Sequence, residues 1–253
     1  MSERDYELSI VIPVYNETGR IEAGLTTIKE FARGFAPPTQ IVVYDDGSRD
    51  DTVAKARSLL ADFPDHVVME GHANRGKGFA IRHAMMRASG AVRLFTDIDL
   101  SVPIENSASF YERVASGVPV VIGSRKMAGS HIDVRQPYYR ELLGGVFRWT
   151  SRMIFAPPVT DFTCGFKAFS ARASEAIFGQ GLIDRWTFDA EILFLAYRMG
   201  FAIHQIPIYW ANSEDSRVRV GIDAAYSFYE MALIRWYHLI GRYNTVIGPT
   251  ARG

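Results

Sequence analysis

The chain has 253 residues, of which 48% are hydrophobic and 22% charged, and it contains a single cysteine. Lysine plus arginine and aspartate plus glutamate number 28 each, so the sequence lacks the basic excess that is typical of nucleic-acid-binding proteins. This length and composition predict one domain with a sizeable core, and a lone cysteine excludes an internal disulfide framework. The start MSERDYELS lacks the basic-then-apolar pattern of a secretory signal, so we expect a cytoplasmic protein.

The first half of the chain alternates apolar runs with amphipathic segments. Residues 8–14, LSIVIPV, predict a strand buried on both faces, and residues 21–35 have helical spacing and end before Pro37. The same reading predicts strands over 40–44, 66–70, 91–96 and 118–123, a helix capped by Ser48 or Asp50 that ends at Phe63, and a helix that ends at Ser89. Strands that alternate with helices predict a Rossmann-like, mostly parallel central sheet flanked by helices. After the fifth predicted strand, proline and aromatic clusters in residues 137–169 predict a half of the domain that is built from helices and loops, on the side where an acceptor would bind.

Ligands of such a sheet bind at the carboxyl ends of its strands. This rule selects a set of polar residues, one group after each of the first four strands: Tyr15, Asn16 and Glu17; Asp45 and Asp46; residues 74–78; and Asp97 and Asp99.

Asp97 and Asp99 stand two residues apart after the fourth strand. On an extended segment their carboxylates would lie on one side, about 7 Å apart, which suits Mg²⁺ or Mn²⁺ bridged to phosphates. The alternative is an ordinary turn. Residues 74–78, NRGKG, resemble a phosphate cradle with Lys77 as its cation, although they match neither a Walker A loop nor G-x-G-x-x-G. A diphosphate with a divalent metal fits this set, and a sugar nucleotide is the simplest such ligand.

The segment 45–48, DDGS, has two interpretations. It is typical of an Asx-turn, but a carboxylate at a strand end can also accept a hydrogen bond from a nucleobase or a ribose.

Seven short segments occur in the order seen in family 2 glycosyltransferases of GT-A fold. They are PVYNE at 13–17, VVYDDGSRDDT at 42–52, NRGKGFA at 74–80, TDIDLS at 96–101, GSR at 123–125, DFTCGFKAF at 161–169 and RWTFDAEILFLA at 185–196. The last two resemble the polyprenyl-phosphate sugar synthases, and most of all their dolichyl-phosphate β-glucosyltransferase branch. The resemblance implies a single GT-A domain and a glycosyltransferase activity.

The resemblance also implies roles for individual residues. Asp97 and Asp99 would hold Mg²⁺ or Mn²⁺ on the donor diphosphate. The remaining donor-site residues would be Pro13, Tyr15, Glu17, Asp45, Gly76 and Lys77. Arg125 and Arg140 would receive the lipid phosphate. Arg217 would be the basic residue of a serine-basic pair that closes over the phosphates.

The implied reaction transfers a sugar, glucose by the resemblance, from a UDP-sugar to dolichyl or undecaprenyl phosphate with inversion. A phosphate monoester is already ionised near neutral pH and needs no strong base. A saccharide acceptor would need one, and Asp189 and Glu191 are the candidates for a base or a sugar-orienting group. GDP-mannose-dependent transfer is a further alternative, although Ser101 and Gly144 depart from the mannosyl pattern.

Two other side chains have open or simple interpretations. Trp186 either stacks on a sugar face or fills the core. Cys164 is expected to be a small buried hydrophobe, because no histidine or basic residue adjoins it.

Residues 224–243 come closest to a long apolar segment, but charged residues interrupt them, and a spanning helix needs about 20 apolar residues. Their aromatic composition fits a helix in a membrane interface and equally a helix packed on its own domain. We therefore divide the chain into a catalytic region, 1–220, and a C-terminal helical segment, 221–253, for which peripheral membrane contact is expected.

Overall fold

The structure is a computed structural model that describes residues 6–132, 159–211 and 220–243, together with residues 145, 150 and 151. The strands are β1 (Leu8–Val14), β2 (Thr39–Asp45), β3 (His66–Glu70), β4 (Val92–Phe95), β5 (Val120–Ser124), β6 (His131–Ile132), β7 (Lys167–Ser170), β8 (Ile203–Pro207) and β9 (Tyr209–Trp210). The helices are α1 (Ile21–Gly34), α2 (Thr52–Leu60), α3 (Lys77–Arg87), α4 (Asn106–Ala115), α5 (Ala171–Phe178), α6 (Phe188–Arg198) and α7 (Val220–Leu239).

A seven-stranded sheet in the order β3-β2-β1-β4-β7-β5-β8 forms the centre of the fold. β1, β2, β3 and β4 pair in parallel, as do β5 and β8. β7 runs antiparallel to both of its neighbours, β4 and β5. The predicted mostly parallel sheet of one α/β domain is confirmed, and the antiparallel strand at its centre was not predicted.

The core lies on both faces of this sheet. Alternate residues of β1 point in opposite directions, so Ile10 and Ile12 join one hydrophobic cluster and Val11 joins the other. The prediction that this strand is buried on both faces is therefore confirmed. The face of α1 that carries Leu25 and Ile28 covers one side, and α3, α5 and α6 cover the other.

The start of α2 differs from the prediction. The helix begins after Asp51, which makes no side-chain cap. The carboxylate of Asp50 does accept a hydrogen bond from the Thr52 N–H at 3.1 Å, but the Ser48 side chain bonds to Asp45 instead. The predicted Ser48 cap is therefore wrong, because the helix starts only at Thr52 and the Ser48 oxygen accepts the Asn16 N–H instead.

The last described helix, α7, packs on the domain through Met231 and Ile234, which are fully buried. Among the described residues, no helix is both long and apolar enough to cross a membrane. The boundary between a catalytic region and a C-terminal segment at residue 220 stays a prediction.

Candidate active site

The sheet topology gathers five chain segments at one edge. β1, β2, β4 and β5 all end there, as the pairs Val14–Asp45 and Phe95–Lys167 show. Because β7 is antiparallel, its first residue lies at the edge where its neighbours end. Residues 161–166, which lead into β7, therefore come to the same edge as the loops after the parallel strands.

Lys77 and Asp97 form an ion pair at this edge, with 2.6 Å between Lys77 Nζ and Asp97 Oδ1. Burial alone would lower the pKa of Lys77, but the carboxylates of Asp97 and Asp189 outweigh it and raise the pKa. The other oxygen, Asp97 Oδ2, lies over Gly165, where a Cβ atom would stand only 2.3 Å away. A side chain on residue 165 would fill the space beside this oxygen, and glycine leaves it open.

The segment from Asp97 to Asp99 is not extended. The Leu100 N–H donates to the Asp97 carbonyl at 3.2 Å and closes a turn, in which Leu100 has a positive φ of 48°. Ile98 is buried between the two carboxylates, and Asp99 is exposed and accepts a hydrogen bond from the Ser101 N–H. The predicted extended geometry is thus wrong, because the strand ends at Phe95 and the chain turns at once.

These two carboxylates suit a divalent cation in chemistry, since both offer hard oxygen atoms at the site edge. Gly165 leaves space beside Asp97 Oδ2, and Lys77 Nζ lies 3.5 Å from the position that a Cβ would take there. Within the described ranges, no group of three or more His, Cys, Asp or Glu side chains is placed to hold a metal by itself.

Asp189, at the start of α6, is buried and forms an ion pair with Lys167, a fully buried lysine on β7. Lys167 Nζ also donates to the Cys164 carbonyl at 2.6 Å. Burial raises the pKa of Asp189, and the positive charges of Lys167 and Lys77 oppose this rise. Asp189 is thus brought into the same charge network as Lys77 and Asp97, but with a partner that the sequence analysis did not name.

Arg125 follows β5 and is held by Asp161. Its Nε and Nη2 atoms donate to the two carboxylate oxygens at 2.7 and 2.9 Å, and Nη2 also donates to Thr163 Oγ1. Burial alone would raise the pKa of Asp161, but the guanidinium holds it well below its usual range. The charge of Arg125 is therefore already compensated, which the sequence analysis did not anticipate.

Asp45, at the end of β2, is buried, and its carboxylate accepts hydrogen bonds from the Ser48 N–H at 2.8 Å and from the Ser48 hydroxyl. This is the turn interpretation of the DDGS segment. The neighbouring Asp46 accepts hydrogen bonds from the N–H groups of Arg75 and Gly76, the latter at 2.7 Å. Asp46 thereby joins the second strand-end loop to the third.

The glycine-rich segment 74–78 packs on protein rather than presenting a row of open amides. A Cβ on Gly76 would lie 2.5 Å from the Asp184 carbonyl oxygen, and one on Gly78 would lie 2.6 Å from that of Ile183. The Phe79 N–H donates to the Asp184 carbonyl at 2.9 Å. The Gly76 N–H is bound to Asp46, so the prediction that the amides of Gly76 and Phe79 bind phosphate is wrong. The glycines allow the neighbouring loop to approach closely. Lys77 remains a candidate for the donor site.

The loop after β1 is tied to the loop after β2. The Asn16 N–H donates to Ser48 Oγ and the Glu17 N–H donates to Thr52 Oγ1, both at 2.8 Å. Pro13 and Tyr15 are half-buried beside this junction. The structure therefore brings Pro13, Tyr15, Glu17 and Asp45 together at one side of the edge.

Four remaining expectations have different outcomes. Arg140 and Arg217 lie outside the described residues. Cys164 is buried, and burial raises the pKa of its thiol to about 11, so the expectation of an inert cysteine is confirmed. Trp186 is 45% exposed, so the interpretation that it fills the core is wrong. Its ring centroid lies 5.8 Å from Lys77 Nζ.

Glu191 does not reach the site. Its buried carboxylate is bound by the N–H groups of Leu182 and Ile183 and by the Tyr243 hydroxyl. The interpretation of Glu191 as a base or sugar-orienting group is therefore wrong.

Sequence reasoning missed Asp161, Gly165 and Lys167 as parts of the site. All three lie inside segment 161–169, which carried part of the resemblance, so their position was a signal. Their partners are tens of residues away, however, and local spacing does not show such contacts.

The mostly parallel sheet and its flanking helices are those of the GT-A architecture, which is a fold of glycosyltransferases. The chain belongs to glycosyl transferase family 2, whose model matches residues 9–178. It is 31% identical to the dolichyl-phosphate beta-glucosyltransferase of Saccharomyces cerevisiae over 94% of this chain and 76% of the relative. It is 29% identical to the human dolichyl-phosphate beta-glucosyltransferase over 84% of this chain and 69% of the relative.

A solved structure supports the fold. Glucosyl-3-phosphoglycerate synthase from Mycobacterium tuberculosis, in complex with Mn²⁺ and uridine-diphosphate-glucose, matches with a TM-score of 0.67. The two chains are 20% identical, and the match covers 91% of this chain and 79% of the synthase.

Proposed function

We propose that the protein transfers glucose from UDP-glucose to the phosphate of a polyprenyl phosphate, either dolichyl or undecaprenyl phosphate, with inversion at the anomeric carbon. The observation that carries the proposal is the 31% identity with a dolichyl-phosphate beta-glucosyltransferase over 94% of this chain. The geometry agrees with it, since Lys77, the pair Asp97 and Asp99, and Arg125 all lie at one edge of the sheet.

The donor side of the proposal uses Asp97 and Asp99. These residues would hold Mg²⁺ or Mn²⁺ together with water and the donor diphosphate. When bound, the metal would stabilise negative charge on the leaving UDP. Lys77 is bound to Asp97 Oδ1, and we expect its ammonium group to contact the same diphosphate. Pro13, Tyr15, Glu17 and Asp45 would bind the nucleoside at the adjoining strand ends.

The acceptor side must bring one anion to another. Two unit charges about 4 Å apart repel by ~4 kcal/mol at an effective dielectric constant of 20. Arg125 is already neutralised by Asp161, so we expect it to orient the acceptor phosphate by hydrogen bonding more than to add net charge. Arg140 and Arg217 are proposed to supply the net positive charge.

No protein group has to remove a proton from this acceptor, because a phosphate monoester has a second pKa near 6 and is largely ionised at neutral pH. Asp189 is bound to buried Lys167, so its carboxylate already has a partner within the charge network of the site. Asp189 then positions the charges around the sugar.

The experiment is a transfer assay with purified protein, radiolabelled UDP-glucose, Mn²⁺ or Mg²⁺ and a short polyprenyl phosphate. We expect a labelled lipid to form with UDP-glucose, and chelation of the metal or the Asp99→Ala substitution to abolish it. Turnover with GDP-mannose in place of UDP-glucose would move the assignment to mannosyl transfer. Transfer to a saccharide only, lost in Asp189→Asn and retained in Arg125→Ala, would establish the saccharide-acceptor alternative.

We further propose peripheral contact with the cytoplasmic face of a membrane through one face of α7. Tyr229, Trp236 and Leu239 recur there at helical spacing and are 59%, 58% and 70% exposed. Arg235 and Arg242 are exposed nearby and complement anionic headgroups. Flotation with liposomes that contain anionic lipid should carry the wild-type protein upward and leave a variant with Trp236→Ser and Leu239→Ser behind. Equal flotation of both proteins would refute this contact.

A further inference from the structure

The segment from Gly179 to Thr187, between α5 and α6, borders the donor side of the site. Its Asp184 accepts the Phe79 N–H through its carbonyl, and its carboxylate pairs with Arg75 at 2.7 Å and with Arg82 at 2.6 Å. Trp186 lies on the same segment, with its ring near Lys77. We call residues 179–187 the border loop.

The border loop packs tightly against the start of α3. Gly76 and Gly78 touch the loop backbone so closely that a Cβ on either would overlap a carbonyl oxygen. Because Lys77 stands between these glycines, a displacement of the border loop changes the position of Lys77 relative to Asp97.

Glu191 binds two backbone N–H groups of the border loop on its buried side. Its Oε1 accepts the Leu182 N–H at 2.8 Å, and its Oε2 accepts the Ile183 N–H at 3.0 Å. The Tyr243 hydroxyl donates to Oε1 at 2.7 Å from a position 52 residues further along the chain. Both Glu191 and Tyr243 are buried, so their hydrogen bonds are shielded from water.

A second carboxylate connects the same two parts of the protein. Glu230, on α7, is buried and accepts the Thr187 N–H at 3.3 Å. The last helix thus bonds directly to Thr187, and Tyr243 connects to Leu182 and Ile183 through Glu191. This arrangement does more than fill the core, because the bonded groups are backbone amides of a loop that bounds the site.

We propose that Glu191 is a positioning residue for the donor side of the site: it fixes the border loop, and Tyr243 fixes Glu191. The identity of the donor rests on the proposed function, whereas the bonding does not. Glu191 contacts none of the candidate donor-binding residues and acts through Leu182 and Ile183. The C-terminal part of the chain is therefore a component of the donor site.

The test uses Tyr243→Phe, which removes one hydroxyl, and Tyr237→Phe as the matched control on the adjacent ring. Amide hydrogen exchange of residues 76–79 and 182–187 is measured in both variants, and steady-state kinetics are measured with UDP-glucose and polyprenyl phosphate. A hydrogen bond to a charged group contributes enough that its loss should speed exchange at Leu182 and Ile183 about tenfold. We expect a similar rise in KM for UDP-glucose, with kcat and the acceptor KM changed less than about twofold. Tyr237→Phe should resemble the wild type.

Two variants of Glu191 add a rescue test. Glu191→Leu removes both acceptors and should raise the donor KM at least as much as Tyr243→Phe does. Glu191→Gln keeps one oxygen acceptor and loses the other, so its donor KM should lie between those of the wild type and Glu191→Leu. A purely structural role would instead lower the active fraction and leave KM unchanged in every variant.

Two outcomes overturn the proposal: unchanged exchange in Tyr243→Phe, or faster exchange at residues 182–183 with unchanged exchange at 76–79 and unchanged donor KM. If the wild-type protein transfers no glucose, the proposed function fails by itself. The exchange data then still decide whether Glu191 and Tyr243 hold the residues around Lys77.

Discussion

The buried Glu191 carboxylate should make the stability of the protein depend on pH in one direction. Burial is the main cause that raises its pKa from 4.5 to about 7, against the hydrogen bonds from Tyr243, Leu182 and Ile183. A raised pKa means that folding favours the protonated form. The stabilisation is therefore complete below about pH 4.5 and is lost as the pH rises through about 7. The shift corresponds to about 3 kcal/mol.

Replacement of Glu191 by glutamine isolates this contribution, because the amide keeps the shape and does not ionise. Other groups with a raised pKa, such as Asp46 and Asp189, act in the same direction but are common to both proteins. The free energy of unfolding of Glu191→Gln, relative to the wild type, should therefore increase by about 3 kcal/mol between pH 4.5 and pH 8.

The assay is urea unfolding followed by fluorescence at half-unit pH intervals, with Glu112→Gln on an exposed face of α4 as the control. The control should track the wild type at every pH. A constant difference between Glu191→Gln and the wild type across the range would refute the reasoning, as would a difference that shrinks with rising pH.

Three further substitutions test the site itself. Gly165→Ala places a Cβ 2.3 Å from Asp97 Oδ2, so the affinity for UDP in the presence of Mn²⁺, measured by calorimetry, should fall about tenfold. An unchanged affinity would show that Asp97 is not a metal ligand. Asp161→Asn leaves the mostly buried Arg125 without its partner, so urea unfolding should show a free energy of unfolding lower by about 3 kcal/mol. A decrease below about 0.5 kcal/mol would show that the pair contributes little to stability. Trp186→Ala removes a half-exposed ring, so the free energy of unfolding should stay within about 0.5 kcal/mol of the wild type while the donor KM rises; unchanged kinetics would exclude Trp186 from the donor site.

The first half of the fold was accessible from the sequence because its signals are local. The run at residues 8–14 and the strand at 66–70 were predicted with the bounds that the structure shows. β7 was not predicted, because a four-residue strand that contains a lysine has no strand signature of its own. Its place between β4 and β5 depends on pairing with residues more than 40 positions away.

The site divides in the same way. The positions of Asp45, Lys77 and Asp97 at strand ends followed from the α/β pattern alone. The contact of Asp45 with Ser48 is local and follows from the turn interpretation of DDGS. The ion pair between Lys77 and Asp97 was not predicted, because it joins the loops after two different strands. Lys77 illustrates the difference: its flanking glycines read as a phosphate loop, yet they serve contact with a segment about a hundred residues later in the chain.

The central position of β7 has a consequence for how the protein acquires activity. β4 and β5 follow one another in the chain, but in the sheet they are joined only through Lys167–Ser170. A nascent chain that has not yet released this strand exposes an unpaired edge at β4, which is a template for aggregation. The strand that closes this edge also carries Lys167 to Asp189. A chain that has not placed β7 in the sheet therefore lacks this ion pair of the site.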